Sequence, residues 1–599
     1  MIVNTLENKV RNYDRFPKIA AGGRDQIRRG WAEIAEEIGA AARRCGGKGP
    51  CARLIVETYT GLHDAEVVHG LKAGLPGAHW LFTRDIFLPE DRINALMAPF
   101  LGGEDPLFGV YAPLSMEQLL DAELLNDMRR RMSGADGLVI VYGPGAWIIA
   151  KDADGPANIL IYADMPRWEG QLRQRRGEVG NLGLATRETR ASLAYKRSFF
   201  ADWRICDGIK RDTMARWDYL LDTTVPADPK LITGNALRKT LGELCSRPFR
   251  LIPFFDPAPW GGQWMKRVCG LDPRETNYGW CFDCVPEENS LLLDFSGALV
   301  EIPALNLVFY QPEELLGSSV HRRFGAEFPI RFDLLDTMGG GNLSLQVHPT
   351  EDFARRHFGL GYTQDESYYM LDAGPAGAVF LGFKEAVDRA AMLRALRMAQ
   401  RAPGAVGFSA EQFVNRWPAK KHDHFLIPAG TIHCSGAETM VLEISATPYI
   451  FTFKLWDWGR LGLDGLPRPL NVDRGEQVLQ WQRDKDWVHE HLINNLQPLA
   501  AGPGWREERT GLHASQFIET RRHWFTGPTP HPAMPTVQVL NLVQGREAVV
   551  ESPDHAFAPM AIHYAETFVV PARAGPYVIR PVDGCEDQPC ATVKAFVRE

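Results

Sequence analysis

The chain has 599 residues, which is too long for one hydrophobic core and predicts two to four domains. Hydrophobic residues make up 45% and charged residues 23%, as in globular proteins. The sequence contains no run of about 18 apolar residues, which is the length needed to cross a membrane. The net charge of -8 argues against broad nucleic-acid binding.

The first residues, "MIVNTLENKVRNYDRF", lack the apolar segment of a secretion signal, so we expect a cytoplasmic protein. In that compartment the ten scattered cysteines should be reduced. The one close pair, Cys281 and Cys284, has no second pair to complete a zinc site, and we interpret both as buried thiols. We expect neither a nucleic-acid nor a membrane partner, and the sequence leaves homo-oligomerisation open.

Up to about residue 240, helical stretches alternate with short apolar runs. These runs are continuous rather than alternating, which is typical of parallel strands buried on both faces. They lie at residues 53–59, 79–85, 137–143 and 158–165. A helical segment at residues 115–132 separates two of them, with Ser115 as its N-cap. The pattern predicts an α/β domain with a parallel sheet over residues 1–240.

After about residue 245, Pro, Gly and Trp become frequent and short strand-like runs alternate with turns, as in β-sandwiches and barrels. We predict a mainly-β domain over residues 241–480, interrupted by a helical insertion at about residues 385–420. Residues 481–599 are expected to form a partly helical linker and a second β unit.

Polar side chains share one face of two strand-like motifs in the mainly-β part. In "NLSLQVHP" strand alternation puts Ser344, Gln346 and His348 on one face, opposite leucine and valine. In "IPAGTIHCSG" a Pro-Ala-Gly turn precedes a strand that carries His433. Glu366 lies between the two motifs, before an aromatic-rich strand. A solvent-facing strand would show the same alternation, so spacing alone does not bring these groups together.

An amide oxygen, two imidazole nitrogens and a carboxylate form a suitable ligand set for one divalent metal ion. Zinc is the first candidate, and manganese, iron, cobalt or nickel would be accepted with different affinities.

Several motifs follow the order found in type I mannose-6-phosphate isomerases. They are "WGG", "NLSLQVHP", "DESYYML", "IPAGTIHCSG", "VLEIS" and "KLWDWGRLGLDGLPRPLNV". The resemblance covers residues 249–472 and, more faintly, the chain to about residue 579. It implies a double cupin of jelly-roll barrels with a degenerate second barrel, and metal-dependent interconversion of mannose 6-phosphate and fructose 6-phosphate. It also implies four metal ligands: Gln346, His348, Glu366 and His433.

The implied reaction moves a proton between C1 and C2 of the sugar through an enediolate, so it needs a positive centre and a proton carrier. The catalytic candidates are Lys454, Glu443 and Arg468. The substrate-binding candidates are Ser344, Arg331 and Arg460. His422 and His424 in "KHDHF" are further candidates for the base, although a structural role explains them equally well.

Three departures from the family pattern concern positive charge. Gln364 and Asp365 stand before Glu366, where the family usually has a lysine. Asp333 stands where a second lysine is usual, and Lys454 replaces an arginine, which removes a bidentate donor. The sequence therefore does not decide whether the substrate is mannose 6-phosphate, another sugar phosphate or an unphosphorylated sugar.

The order of elements over residues 51–224 is similar to that of the uridine kinase and phosphoribulokinase group. However, the first strand is followed by "ETYTGLHDAEVVHG", without the G-x-x-x-x-G-K-[ST] that cradles phosphates. We therefore expect a degenerate nucleoside-kinase-like domain. If it binds an anion, the residues to consider are Asp85, Arg167, Arg173 and Arg176.

Three functional hypotheses follow from the sequence. The leading one is a metal-dependent sugar-phosphate isomerase with a fused accessory domain. The alternatives are a non-catalytic metal-cupin that senses a sugar or nucleotide, and a kinase-like transferase with unusual phosphate contacts.

Overall fold

A computed structural model describes residues 12–598, apart from 47–52, 104, 152–157, 449, 512, 514 and 583–587. The chain divides into two compact units. The α/β unit comprises Lys18–Glu243 and Ser290–Tyr310, and the β unit comprises Met1–Pro17, Leu244–Asn289 and Gln311–Glu599. This confirms a multidomain chain; the domain limits at residues 240 and 480 stay predictions.

The strands are numbered in chain order. Up to residue 303 they are β1 (Lys18–Ala20), β2 (Ile27–Arg29), β3 (Arg53–Thr58), β4 (His79–Phe82), β5 (Val139–Gly143), β6 (Asn158–Asp164), β7 (Tyr219–Asp222), β8 (Lys230–Thr233), β9 (Phe254–Asp256), β10 (Trp280–Cys284), β11 (Ser290–Phe295) and β12 (Ala298–Pro303).

The later strands all belong to the β unit. They are β13 (Ile330–Asp336), β14 (Leu345–Val347), β15 (Glu366–Ala373), β16 (Ala378–Phe383), β17 (Val414–Pro418), β18 (His424–Ile427), β19 (His433–Ser435), β20 (Thr439–Ala446), β21 (Phe453–Trp456), β22 (Gln497–Gly502), β23 (Trp505–Gly511), β24 (Ile518–Phe525), β25 (Thr529–His531), β26 (Gln538–Gln544), β27 (Glu547–Glu551), β28 (Met560–His563), β29 (Thr567–Val570), β30 (Tyr577–Pro581) and β31 (Cys590–Val597).

The α-helices are numbered in the same way. They are α1 (Gly30–Gly46), α2 (Asp64–Gly74), α3 (Glu90–Met97), α4 (Ala122–Gly134), α5 (Ala146–Ala150), α6 (Arg167–Arg175), α7 (Ala191–Arg197), α8 (Trp203–Thr213), α9 (Gly234–Leu244), α10 (Trp264–Val268), α11 (Leu305–Tyr310), α12 (Pro312–Leu316), α13 (Ser318–Phe324), α14 (Glu351–Phe358), α15 (Arg389–Arg401), α16 (Val472–Val478) and α17 (Lys485–His491). No helix among the described residues is both long enough and apolar enough to span a membrane.

The α/β unit is built on a seven-stranded sheet in the order β2-β8-β7-β6-β3-β5-β4. The five strands from β7 to β4 pair in parallel. Four of them, β3 to β6, are the continuous apolar runs that the sequence predicts as parallel strands, and β7 was not predicted. The sheet is nevertheless mixed, because β8 pairs antiparallel with β7 and β2 pairs antiparallel with β8. A three-stranded sheet, β1-β11-β12, completes the unit.

A buried ion pair lies at the carboxyl end of β6. Nζ of Lys210 lies 2.8 Å from Oδ2 of Asp164, and both side chains are 2% exposed. The amide of Asn306, on α11, donates to the same carboxylate oxygen at 3.0 Å. The carboxylate thus ties the segment after β12 to the parallel sheet of this unit.

The β unit contains two pairs of facing sheets. The first pair has the orders β18-β15-β20-β13-β10-β9 and β17-β16-β19-β14-β21. The second has the orders β22-β23-β24-β31-β26-β29 and β25-β30-β27-β28, with an apolar core between them. The predicted helical insertion contains α15, but its last residues form β17, which pairs with β16. The predicted mainly-β character is confirmed.

The Lys210–Asp164 pair gives a stability prediction. Lys210→Met should lower the free energy of unfolding by about 3–5 kcal/mol, because it leaves a buried carboxylate without its cation. Chemical denaturation measures this. The matched control is Lys239→Met on α9, since that side chain is 70% exposed and should change stability by less than about 0.5 kcal/mol. Equal effects of both substitutions would contradict the expectation.

Candidate metal centre

Two of the predicted ligands lie side by side in the five-stranded sheet. Strand β14 is flanked by β19 and β21, and Gln346 is directly opposite His433 on one side and Lys454 on the other. Directly opposed residues of antiparallel strands point to the same face with Cβ atoms about 5 Å apart. The sheet therefore presents an amide, an imidazole and an ammonium group in one row.

Glu366 reaches this row from the opposing sheet, at the start of β15. Its Oε1 lies 2.9 Å from Nε2 of His433, and its Oε2 lies 3.0 Å from Nε2 of His348. The amide nitrogen of Gln346 lies 3.2 Å from Nε2 of His433. All four side chains are at most 8% exposed. One ligand atom from each of His348, Glu366 and His433 lies within 4.8 Å of the others. The predicted quartet is thus brought together.

The hydrogen bond of His433 leaves a lone pair of this imidazole directed at the carboxylate. Nδ1 of His433 lies 2.8 Å from the carbonyl oxygen of Thr431 and donates to it, which leaves Nε2 unprotonated in the neutral ring. Nδ1 of His348 lies 3.4 Å from Oγ1 of Thr452. Oxygen and nitrogen lone pairs that converge in a buried space fit a divalent cation, and turning the amide of Gln346 by 180° adds its oxygen.

The ionisation of these groups agrees with a cation site. Burial would raise the pKa of Glu366, but the neighbouring His348 and His433 outweigh it and hold that pKa well below the usual range. Burial lowers the pKa of His348, which favours the neutral ring that binds metals. Among the described residues, no second group of three or more His, Cys, Asp or Glu side chains has this geometry.

Next to Glu366 lies a buried group with two carboxylates and one guanidinium. Arg331 contacts Asp333 at 2.5 Å and Glu443 at 2.6 Å. Gln364 donates to Glu366 at 2.9 Å and lies 3.4 Å from Glu443. Burial raises the pKa of Asp333 to about 7 and raises that of Glu443 well above its usual range. Because one cation faces two carboxylates, this wall of the site can hold a proton.

On the other side of the row, cationic side chains converge on Asp457. This carboxylate accepts hydrogen bonds from Ser344 at 2.7 Å, Arg460 at 2.6 Å and Arg468 at 3.0 Å. Arg468 also donates to Oγ of Ser344 at 3.0 Å. Burial and the charge of Arg468 lower the pKa of Lys454 to about 8. Asp457, Arg460 and Arg468 line part of a cavity of about 230 Å³.

The sequence did not single out Asp457 as a site residue. Its position in "KLWDWGR", between the predicted site residues Lys454 and Arg460, could have indicated that it belongs to the site. Tyr368 was also missed; it lies opposite Glu443 in the pairing of β15 with β20, and the neighbouring Glu366 and Glu443 add to burial in raising its pKa. His424 lies opposite Tyr369 and contacts the carbonyl oxygen of Thr510 at 3.0 Å, so it belongs to the other face of β15.

In the α/β unit, the basic residues considered for anion binding contact protein groups. Arg167 lies 2.5 Å from Asp207, and Arg173 lies 2.8 Å from Glu169. Arg176 contacts Glu178 at 2.6 Å. Asp85 is exposed and lies 3.9 Å from Arg84. Cys281 and Cys284, in the β unit, are free and buried, as expected.

Comparisons with known proteins give matches to both parts of the chain. Residues 30–246 match the family described as a domain of unknown function, DUF8485. Over 275 residues, the chain is 28% identical to the mannose-6-phosphate isomerase of Streptococcus mutans, covering 45% of this chain and 76% of that protein. Over 242 residues, it is 25% identical to a probable mannose-6-phosphate isomerase of Bacillus subtilis, and this match covers 39% of this chain and 69% of that protein.

Among solved structures, a mannose 6-phosphate isomerase from Bacillus subtilis matches with a TM-score of 0.46 and 16% identity. The match covers 58% of this chain and 99% of that chain.

The site predicts stoichiometric metal binding. The wild type should hold about one divalent metal ion per chain, and His348→Ala should lose it, because the remaining ligands are too few. Elemental analysis of the purified proteins measures this. His69→Ala removes an exposed histidine from the α/β unit and is the control. Equal metal content in all three proteins would contradict the assignment.

Proposed function

We propose that the protein is a metal-dependent aldose–ketose isomerase that interconverts mannose 6-phosphate and fructose 6-phosphate, or a closely related sugar phosphate. The observation that carries this proposal is the convergence of Gln346, His348, Glu366 and His433 in one buried space. The similarity to mannose-6-phosphate isomerases supports it. The β unit is then a pair of cupin barrels.

A bound divalent metal, zinc first, would polarise the substrate's carbonyl and hydroxyl oxygens and stabilise the negative charge of the enediolate. Lys454 is opposite Gln346 in the sheet, so its amine faces the space beside the ligands. With a pKa of about 8, this amine can both accept and return a proton near neutral pH. Glu443, whose pKa is raised by burial and by Glu366, can hold a proton on the opposite wall.

Substrate anchoring falls to the cationic side of the site. Arg460 and Arg468 share one carboxylate, that of Asp457, so the group keeps a net positive charge that suits a phosphate. Ser344, which already bonds to Asp457 and Arg468, adds a hydroxyl. Arg331 pairs with Asp333 and Glu443 next to Glu366, and not with the group around Asp457. Its proposed contact is therefore with the sugar rather than with the phosphate.

The α/β unit is proposed as a degenerate nucleoside-kinase-like accessory domain. Arg167, Arg173 and Arg176 all pair with acidic side chains there, which disfavours a phosphate-transfer site. The alternative function is a non-catalytic metal sensor. Turnover of the sugar phosphate would exclude this alternative, and metal binding without turnover would support it.

The first test is kinetic. The wild type should convert mannose 6-phosphate to fructose 6-phosphate, and Lys454→Met should lower kcat by about 10²–10⁴-fold, as expected for loss of a group that moves a proton. A coupled assay of fructose 6-phosphate measures this. Lys384→Met, at an exposed lysine, is the control. Metal-loaded wild type without turnover would favour the sensor.

The second test concerns the phosphate. Arg468→Met should raise KM for mannose 6-phosphate by about tenfold or more, because one guanidinium then faces the carboxylate of Asp457 and the group loses its net positive charge. Rates with unphosphorylated mannose should change much less. Steady-state kinetics with both sugars separates the effects, and an equal loss with both would argue against phosphate anchoring here.

A further inference from the structure

A short turn before β19 contacts the surroundings of three metal ligands. The amide of Gly430 donates to the carbonyl oxygen of His348 at 3.0 Å. The amide of Ala429 donates to the carboxylate of Asp365, the neighbour of Glu366, at 2.8 Å. The carbonyl oxygen of Thr431 accepts from Nδ1 of His433. The position of residues 428–431 therefore affects all three of these ligands.

One side chain from a distant segment holds this turn. Nη1 of Arg483 donates to the carbonyl oxygens of Pro428 at 2.7 Å and Ala429 at 2.8 Å, and also to Oγ1 of Thr431. Burial lowers the pKa of Arg483 to about 10, so the guanidinium stays charged at neutral pH. Three oxygens of the turn thus share the two N–H groups of one guanidinium nitrogen.

The segment that carries Arg483 is itself anchored to the turn and to the sheet. The amide of Gln480 donates to the carbonyl oxygen of Gly430 at 2.9 Å, and the amide of Phe383 donates to that of Arg483 at 2.9 Å. Gly430 has a φ of +86°, and a Cβ there would lie 2.6 Å from Cγ of Gln480. The close approach and the positive φ both require glycine.

We propose that Arg483 is a positioning residue of the metal centre, which holds the 428–431 turn so that His348, Glu366 and His433 keep their ligand geometry. This inference rests on the proposed metal centre. Without the guanidinium, the carbonyl oxygen of Ala429 and Oγ1 of Thr431 lose the donor from Arg483, and the carbonyl oxygen of Pro428 keeps only its bonds from Thr431 within the turn. The turn is then no longer fixed to the Arg483 side chain, and Thr431 no longer holds the imidazole of His433 in one tautomer and orientation. Groups that orient metal ligands typically contribute about 10–100-fold to metal affinity.

The test compares Arg483→Met, Arg483→Lys and Arg389→Met with the wild type. Arg389→Met is the matched control, because Arg389 lies over the ring of Trp481 near the same segment and is exposed. Cobalt(II) affinity is measured by competition with a chromophoric chelator, and the visible spectrum of the cobalt protein reports ligand geometry. Hydrogen exchange of a peptide covering residues 428–435 reports the order of the turn without metal.

We expect Arg483→Met to bind cobalt(II) about 10–100-fold more weakly, with a changed spectrum and faster exchange in that peptide. Arg483→Lys, which keeps a charge and three donors, should recover part of the affinity, and Arg389→Met should match the wild type. If Arg483→Met does not fold, the same comparison with Arg483→Lys decides.

Wild-type affinity and spectrum in a folded Arg483→Met protein would overturn the role of Arg483 and leave the proposed isomerase intact. The same loss in Arg389→Met would also overturn it. A wild type that binds metal but has no isomerase activity would overturn the function alone. A wild type that binds no metal would overturn both.

Discussion

The site depends on one buried carboxylate. Glu366 lies inside the β unit with the Nε2 atoms of His348 and His433 at 3.0 Å and 2.9 Å from its two oxygens. A lone carboxylate is costly to bury. A divalent cation would balance its charge, because it would accept lone pairs from all three side chains. The row of Gln346 and His433 across neighbouring strands, and the turn that Arg483 contacts, would support such a cation.

Charge around this centre is divided between two walls. On one wall, Arg331 is shared by Asp333 and Glu443, which leaves an excess of carboxylate that can hold a proton. On the other, Asp457 is shared by Arg460 and Arg468, which leaves an excess of positive charge. An isomerase of phosphorylated sugars needs both, since it moves a proton at one end of the substrate and holds a dianion at the other.

The α/β unit uses buried charge differently. Lys210 and Asp164 neutralise each other, and so do Arg167 and Asp207. Their geometry leaves the charge balanced within the protein, so these pairs do not call for a ligand. This agrees with the sequence after β3, which lacks the phosphate-binding G-x-x-x-x-G-K-[ST] motif.

The sequence by itself determined which residue types alternate, and hence the polar face that carries Gln346 and His348 and the continuous apolar runs of the parallel strands. These are local properties of a backbone with a period of two residues. It did not determine the register that sets Gln346 opposite both His433 and Lys454, because those partners are far away along the chain. It also missed Asp457 and Arg483, and the antiparallel strands β8 and β2 in the α/β sheet. Only the tertiary structure decided these features, since each depends on contacts between distant segments that no local pattern records.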